Sequence, residues 1–142
     1  MDAVLALALA PKLADVLDLE VEDAVEILTD TDSGDTFDVG RAEYVLYSDA
    51  DADAACRDSI LESLAYFRPG FLDAHADIGT DAIEAIQAKE DHEAMRRLLE
   101  RLGVLEDVIN DAISSDGRGH FLAGYDSEEI DLSAHWFIYR TN

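Results

Sequence analysis

Lysine is nearly absent from this chain. Its 142 residues hold 2 Lys and 8 Arg against 33 Asp and Glu, a formal net charge of −23. That balance excludes a basic surface, and with it direct docking on nucleic acid or anionic membranes, because phosphates would be repelled. Cysteine occurs once, at Cys56, so no internal disulfide forms and a reducing, cytoplasmic setting is expected. Long apolar runs are missing too. The stretch from Met1 to Ala10 resembles the core of a secretory signal, but Asp2 stands where a positive flank is needed and Pro11-Lys12 replace a cleavage site. It is also far shorter than the ~20 residues of a bilayer span. It reads as a first helix packed on the core. Linkers of low complexity and five-residue runs of one charge are likewise absent, so one domain over residues 1–142 is expected.

Apolar residues make up 49% of the chain, enough for a packed core despite the charge. Asp outnumbers Glu by 21 to 12, and the charge is spread over both halves, with 16 acids and 3 bases in residues 1–60 and 17 and 7 thereafter. Two readings follow. A lysine-poor acidic surface suits high salt, where ions screen self-repulsion. The same surface also looks like a polyanion.

Pro11–Leu17 reads as a turn or two of helix opening at the proline, and Val21–Leu28 as either helix or strand. Thr36–Val39 and Ala42–Tyr47 flank Gly40-Arg41 with hairpin spacing. Ser48 or Asp49 caps a helix expected to reach Phe67, with Ile60, Leu61 and Leu64 inward. Pro69-Gly70 breaks it, and Phe71–Ile78 forms a short helix. Another starts at Thr80 or Asp81 and is interrupted between Lys89 and Glu93, after which Met95, Leu98, Leu99 and Leu102 continue a helical stripe. Gly103 suits a helix end. Val104, Leu105, Val108, Ile109, Ala112 and Ile113 make the clearest amphipathic helix, closed by Asp116-Gly117-Arg118-Gly119. Glu128–Leu132 and His135–Arg140 read as a second hairpin, Trp136 and Ile138 on one face and Phe137 and Tyr139 on the other. Short helices with two hairpins in a small antiparallel sheet give an α+β fold.

No metal or cofactor is expected. Asp30–Asp35 resembles a calcium loop, but the EF-hand pattern puts an oxygen ligand, Gly and Glu at positions five, six and twelve, where this chain has Gly34, Asp35 and Arg41. Asp49, Asp51 and Asp53 diverge on a helix and favour its N-terminal dipole. The four histidines lack zinc spacing, and Cys56 among alanines reads as structural, so no catalytic residue is assigned. The loop holding Arg118, His120, Tyr125 and Asp126 is the most suggestive chemically. It is either a small anion or substrate site, and so the basis of a small enzyme, or a glycine-rich turn whose arginine pairs with nearby acids. The turn is preferred, and Arg118→Ala and His120→Ala are then expected to change stability modestly.

The acids themselves form the remaining feature. Asp51, Asp58 and Glu62 share one helix face; Glu106, Asp107 and Asp111 share another. Carboxylates three or four residues apart stand about 5–6 Å apart along a helix, against one charge per about 3.4 Å along a DNA strand. These six are candidate partner-binding residues.

Several segments carry a family resemblance: Glu43–Asp49 with the acid- and Ala-rich helix after it, Ser63–Phe67, Asp116–Leu122, Tyr125–Glu129 and Phe137–Asn142. From about residue 12 onward the chain resembles a family of small acidic proteins of bacteriophages and prophages, with Asp-Gly-Arg-Gly-His-Phe-Leu and the Tyr-Arg-Thr-Asn ending as the most specific parts. Ser127 stands where the family pattern has Gly after Tyr-Asp. The resemblance implies a phage setting and carries over no catalytic residue. The expected function is non-enzymatic: inhibition of a basic nucleic-acid-binding protein, of anti-restriction or anti-CRISPR type, in the host cytoplasm. A salt-adapted accessory phage protein is the bland alternative. Contact with nucleic acid or membrane is not expected, and a homodimer is left open.

Overall fold

Alternating side chains along the strands build the sheet. The computed structural model describes residues 1–142, with strands β1 (Thr36–Val39), β2 (Ala42–Ser48), β3 (Ile130–Ser133) and β4 (Trp136–Arg140). They form one antiparallel sheet in the order β1-β2-β4-β3, with Leu46 opposite Ile138 and Val45 opposite Tyr139. Gly40 turns the first hairpin at φ 61°, a conformation glycine adopts without steric cost. Eight helices accompany the sheet: α1 (Ala3–Leu17), α2 (Val21–Asp30), α3 (Asp49–Leu61), α4 (Pro69–Ala76), α5 (Thr80–Gln87), α6 (His92–Arg101), α7 (Leu105–Asp116) and α8 (Arg118–Leu122), with a 3₁₀ turn at Leu64–Tyr66. The class is α+β, and no helix is long and apolar enough to cross a membrane.

The chain sorts into two compact units, one of residues 1–55 and 118–142, the other of residues 56–117. In the first, α1 and α2 cover one sheet face, burying Leu9, Leu13 and Leu28 against Tyr44, Leu46, Leu132 and Ile138. Against the opposite face, Ala52 of α3 and Ala123 pack on Val45 and Tyr139. The second unit is all helical. Its buried side chains include Cys56, Ile60, Leu64, Leu72, Ile83, Met95, Leu99, Val108 and Ile109.

Three local expectations are corrected. Helix α1 does not open at Pro11 but runs through it. The ring lies exposed, so the carbonyl at Leu7 that loses its partner faces outward. Helix α3 stops at Leu61, short of Phe67, because the Ser63 hydroxyl donates to the Ser59 carbonyl at 2.8 Å and competes with the helical ladder. Residues 118–122 are helical, not part of a simple turn, since Gly117 at φ 79° ends α7 and lets α8 start at once. Ser127, at the position where the resembled pattern has glycine, sits in the left-handed region at φ 60°, which a side chain adopts at a cost of about 1–2 kcal/mol.

Candidate functional site

The 116–126 region has one half-buried polar centre, and Arg118 is at its heart. Its side chain is 12% exposed and its guanidinium is gripped by three carboxylates: Nη1 donates to Asp49 Oδ1 and Asp53 Oδ1, both at 2.9 Å, and Nε to Glu129 Oε2 at 2.8 Å. Nη1 also reaches the Asp49 carbonyl at 3.3 Å, and the group lies 4.6 Å over the Phe137 ring. Tyr139, fully buried, donates its hydroxyl to the same Glu129 oxygen. Burial by itself would ease the proton off Arg118, but bonds to Glu129, Asp49 and Asp53 outweigh it and push the pKa above the ordinary arginine range. A raised pKa means the stability from this group is present below that range and is lost only at still higher pH.

The other three candidates of the region do not join it. His120 is exposed and edges onto Phe121. Tyr125 takes the Arg140 guanidinium 3.5 Å over its ring. Asp126 Oδ1 accepts from the Glu128 amide at 3.0 Å, closing a turn. No hydrogen bond links any two of Arg118, His120, Tyr125 and Asp126. Gly119 explains the second glycine of the motif: an added Cβ would lie 2.3 Å from the Ser127 carbonyl oxygen and 2.9 Å from the Glu129 nitrogen. Two backbones meet there with no room for a side chain.

The acidic faces are unequal. Unit one carries 19 acids and 4 Lys or Arg, net −15, and unit two carries 14 and 6, net −8. The six candidate residues are all exposed. On α7, however, Glu106 is held by both Arg57 nitrogens at 2.6 Å, which keeps its carboxyl below the usual glutamate range, and Asp111 is bonded to His75 Nε2 at 2.8 Å. Asp107 makes no ion pair. Asp58 and Glu62, the latter just past the end of α3, share an open groove of about 370 Å³ with His92, Glu93 and Arg96. Asp51 belongs to unit one and makes no ion pair with Arg118, unlike its neighbours Asp49 and Asp53.

The longest run of acids without lysine or arginine lies elsewhere, in a stretch of which the sequence pattern marks only Asp30–Asp35, as an incomplete calcium loop. Residues 13–40 contain ten Asp and Glu and no Lys or Arg, and all ten are exposed. Helix α2 carries four of them, Glu22, Asp23, Glu26 and Asp30. Ala24 and Leu28, four residues apart, are buried, which makes the segment a helix and turns Glu22, Glu26 and Asp30 to solvent. Asp23, Glu26 and Asp30 rim an open groove of about 440 Å³ whose floor includes Ile27 and Phe37. The one cation here is the Met1 ammonium, which donates to the Leu28, Thr29 and Thr31 carbonyls at 3.0–3.1 Å and stands 3.4 Å from Asp32. A positive charge at a helix C-terminus is favourable. The missing signal was countable as a run without bases. What hid it was the open choice between helix and strand for Val21–Leu28, which left the outward residues undefined.

Self-repulsion of this kind is screened by salt, within about 8 Å at 0.15 M and about 3 Å at 1 M. The melting temperature is therefore expected to rise as KCl goes from 0.05 to 1 M. A flat or falling curve in a thermal scan would show that the carboxylates do not repel appreciably.

No protein-family model, no curated protein and no solved structure matches the chain.

Proposed function

We propose that this protein is a non-enzymatic, phage-type inhibitor that binds a basic nucleic-acid-binding protein in place of its nucleic acid, as an anti-restriction or anti-CRISPR protein does. The observation that carries the reading is the stretch of residues 13–40, with ten exposed carboxylates and no lysine or arginine. From Glu22 to Asp30, four carboxylates span eight residue steps, about 12 Å of helix axis. That is roughly one charge per 3–4 Å, close to the spacing of about 3.4 Å along one DNA strand. Salt adaptation alone accounts for acidity but not for a stretch from residue 13 to residue 40 that holds ten acids and no lysine or arginine, while Arg57, Arg96, Arg97 and Arg101 fall on the other unit. The phage setting rests on the resemblance of residues 12–142.

The test is capture of partners from a bacterial lysate, followed by competition. Captured proteins are expected to be nucleic-acid-binding, to be displaced by duplex DNA, and to dissociate steeply with salt, since charge complementarity governs encounter in such pairs. Glu22→Lys with Glu26→Lys is expected to weaken binding more than tenfold with the circular dichroism unchanged. Asp58→Lys/Glu62→Lys and Asp107→Lys/Asp111→Lys are expected to weaken it less, because those faces already hold Arg96, Arg57 and His75. Simultaneous binding of duplex DNA and this chain to one partner, or indifference to the α2 reversals, would sink the proposal.

A further inference from the structure

The sheet has two edges, and they differ. Strand β3 is bulged between Asp131 and Ser133, and residues 133–135 all sit at positive φ, so that edge offers no regular ladder. Strand β1 lies at the other edge and is regular over its four residues. Its phase follows from its neighbour. The Leu46 amide donates to the Asp35 carbonyl at 3.0 Å, whereas the Glu43 carbonyl accepts from the Thr141 amide on the β4 side at 2.9 Å. Tyr44 and Ala42 therefore bond to β1, through their register partners Phe37 and Val39. The amides and carbonyls of Thr36 and Asp38 point the other way, to the outer edge, where no strand pairs with them. This edge borders the groove of about 440 Å³ between α2 and β1, rimmed by Asp23, Glu26 and Asp30 and floored by Ile27 and Phe37.

We infer that the β1 edge takes an extended, lysine- or arginine-bearing segment of the partner protein as a fifth strand. For its basic partner this rests on the function proposed above; it adds which element of that partner is held. The free amides and carbonyls of Thr36 and Asp38 supply the main-chain hydrogen bonds. In an added strand, alternate side chains fall on the α2 side of the sheet, the side toward which Phe37 and Val39 pack. A lysine or arginine there lays its stem on Ile27 and Phe37 and brings its charged head to Asp23, Glu26 and Asp30. Charge selects the occupant. Asp35 and Asp38 are exposed beside and on β1. With the acids of α2 they repel an acidic strand, β1 of a second copy included, and draw in a basic one.

The probe is the acetylated, amidated peptide Lys-Val-Lys-Val-Lys-Val, titrated into the intact chain by calorimetry, with amide hydrogen exchange read by NMR. One-to-one binding is expected, with exchange at the Thr36 and Asp38 amides slowed about tenfold or more. Two N-methylated forms keep the charge and remove donors, one at every valine and one at every lysine. Only one of these two sets of amides faces β1 when the lysines lie over α2. One form is therefore expected to bind about tenfold more weakly, or worse, and the other like the parent. Thr36→Pro keeps every charge and removes an outward amide at the first residue of β1, a place where strands tolerate proline. It is expected to lose peptide binding to the same extent with the circular dichroism unchanged; if it does not fold, the methylated pair carries the test. Equal binding of all three peptides, unslowed exchange at Thr36 and Asp38, or full binding by folded Thr36→Pro would mean that charge alone holds the peptide and would overturn the inference. So would the absence of binding. Lysate capture separates the two proposals: a partner held equally by wild type and Thr36→Pro, yet lost with the α2 reversals, leaves the proposed function standing without the added strand.

Discussion

Gly119→Ala is expected to destabilise the protein by about 3 kcal/mol or more, at the upper end of overpacking costs. The added carbon would sit 2.3 Å from the Ser127 carbonyl oxygen and 2.9 Å from the Glu129 nitrogen. Both neighbours are backbone, so neither can swing aside as a flexible side chain does. Relief requires moving the 127–129 segment, and Glu129 carries the carboxylate that holds Arg118. The substitution therefore strains the loop and loosens the ion cluster together. At this chain length 3 kcal/mol corresponds to a fall in Tm of roughly 10 °C. Gly70→Ala is the control: nothing lies within 4 Å of its added carbon, so a change within about ±1 kcal/mol is expected. Urea unfolding of both variants decides the matter. A Gly119→Ala protein as stable as wild type would mean that the 127–129 segment yields freely.

Arg118→Met is expected to cost about 2–4 kcal/mol. Methionine keeps much of the stem's contact with Phe137 but removes the charge, leaving Asp49, Asp53 and Glu129 to repel one another. The three carboxylates are themselves partly exposed, at 49%, 63% and 31%, so water screens part of that repulsion and the cost stays below that of a dry ion pair. Added KCl is expected to recover a fraction of the loss, and Arg118→Lys to recover less than half, since an ammonium cannot bridge three acids with a planar fork. Arg57→Met, which breaks the exposed pair with Glu106, is expected to cost less than about 1 kcal/mol. A plain glycine-rich turn implies only a modest effect at Arg118; a side chain 12% exposed and held by three carboxylates is a different case. Equal, small losses at 57 and 118 would show that the cluster is no more than a surface pair.

Much of this architecture was decided by local chemistry and was legible in the chain. The apolar runs Tyr44–Tyr47 and Trp136–Tyr139, the hairpin spacing about Gly40, the helical stripe of Leu105–Ile113, the break before His92 and the glycine at 103 each act within a few residues, so reading them required no knowledge of distant neighbours. The excess of carboxylates was a matter of counting. Tertiary structure alone decided the rest. Val21–Leu28 suits helix or strand by pattern, and burial of Ala24 and Leu28 against α1 and the sheet made it a helix, which in turn defined the acidic face. Proline opens helices more often than it sits inside them, and the apolar packing of Leu9 and Leu13 on both sides of Pro11 carried α1 through. Asp49 and Arg118 are 69 residues apart in the chain, so their pairing has no local signature. The motif around Gly119 looked like an ordinary turn until the fold set a second backbone against it. Interactions within a helical turn or a hairpin are written in adjacent residues; those between remote segments exist only once the sheet has brought the segments together.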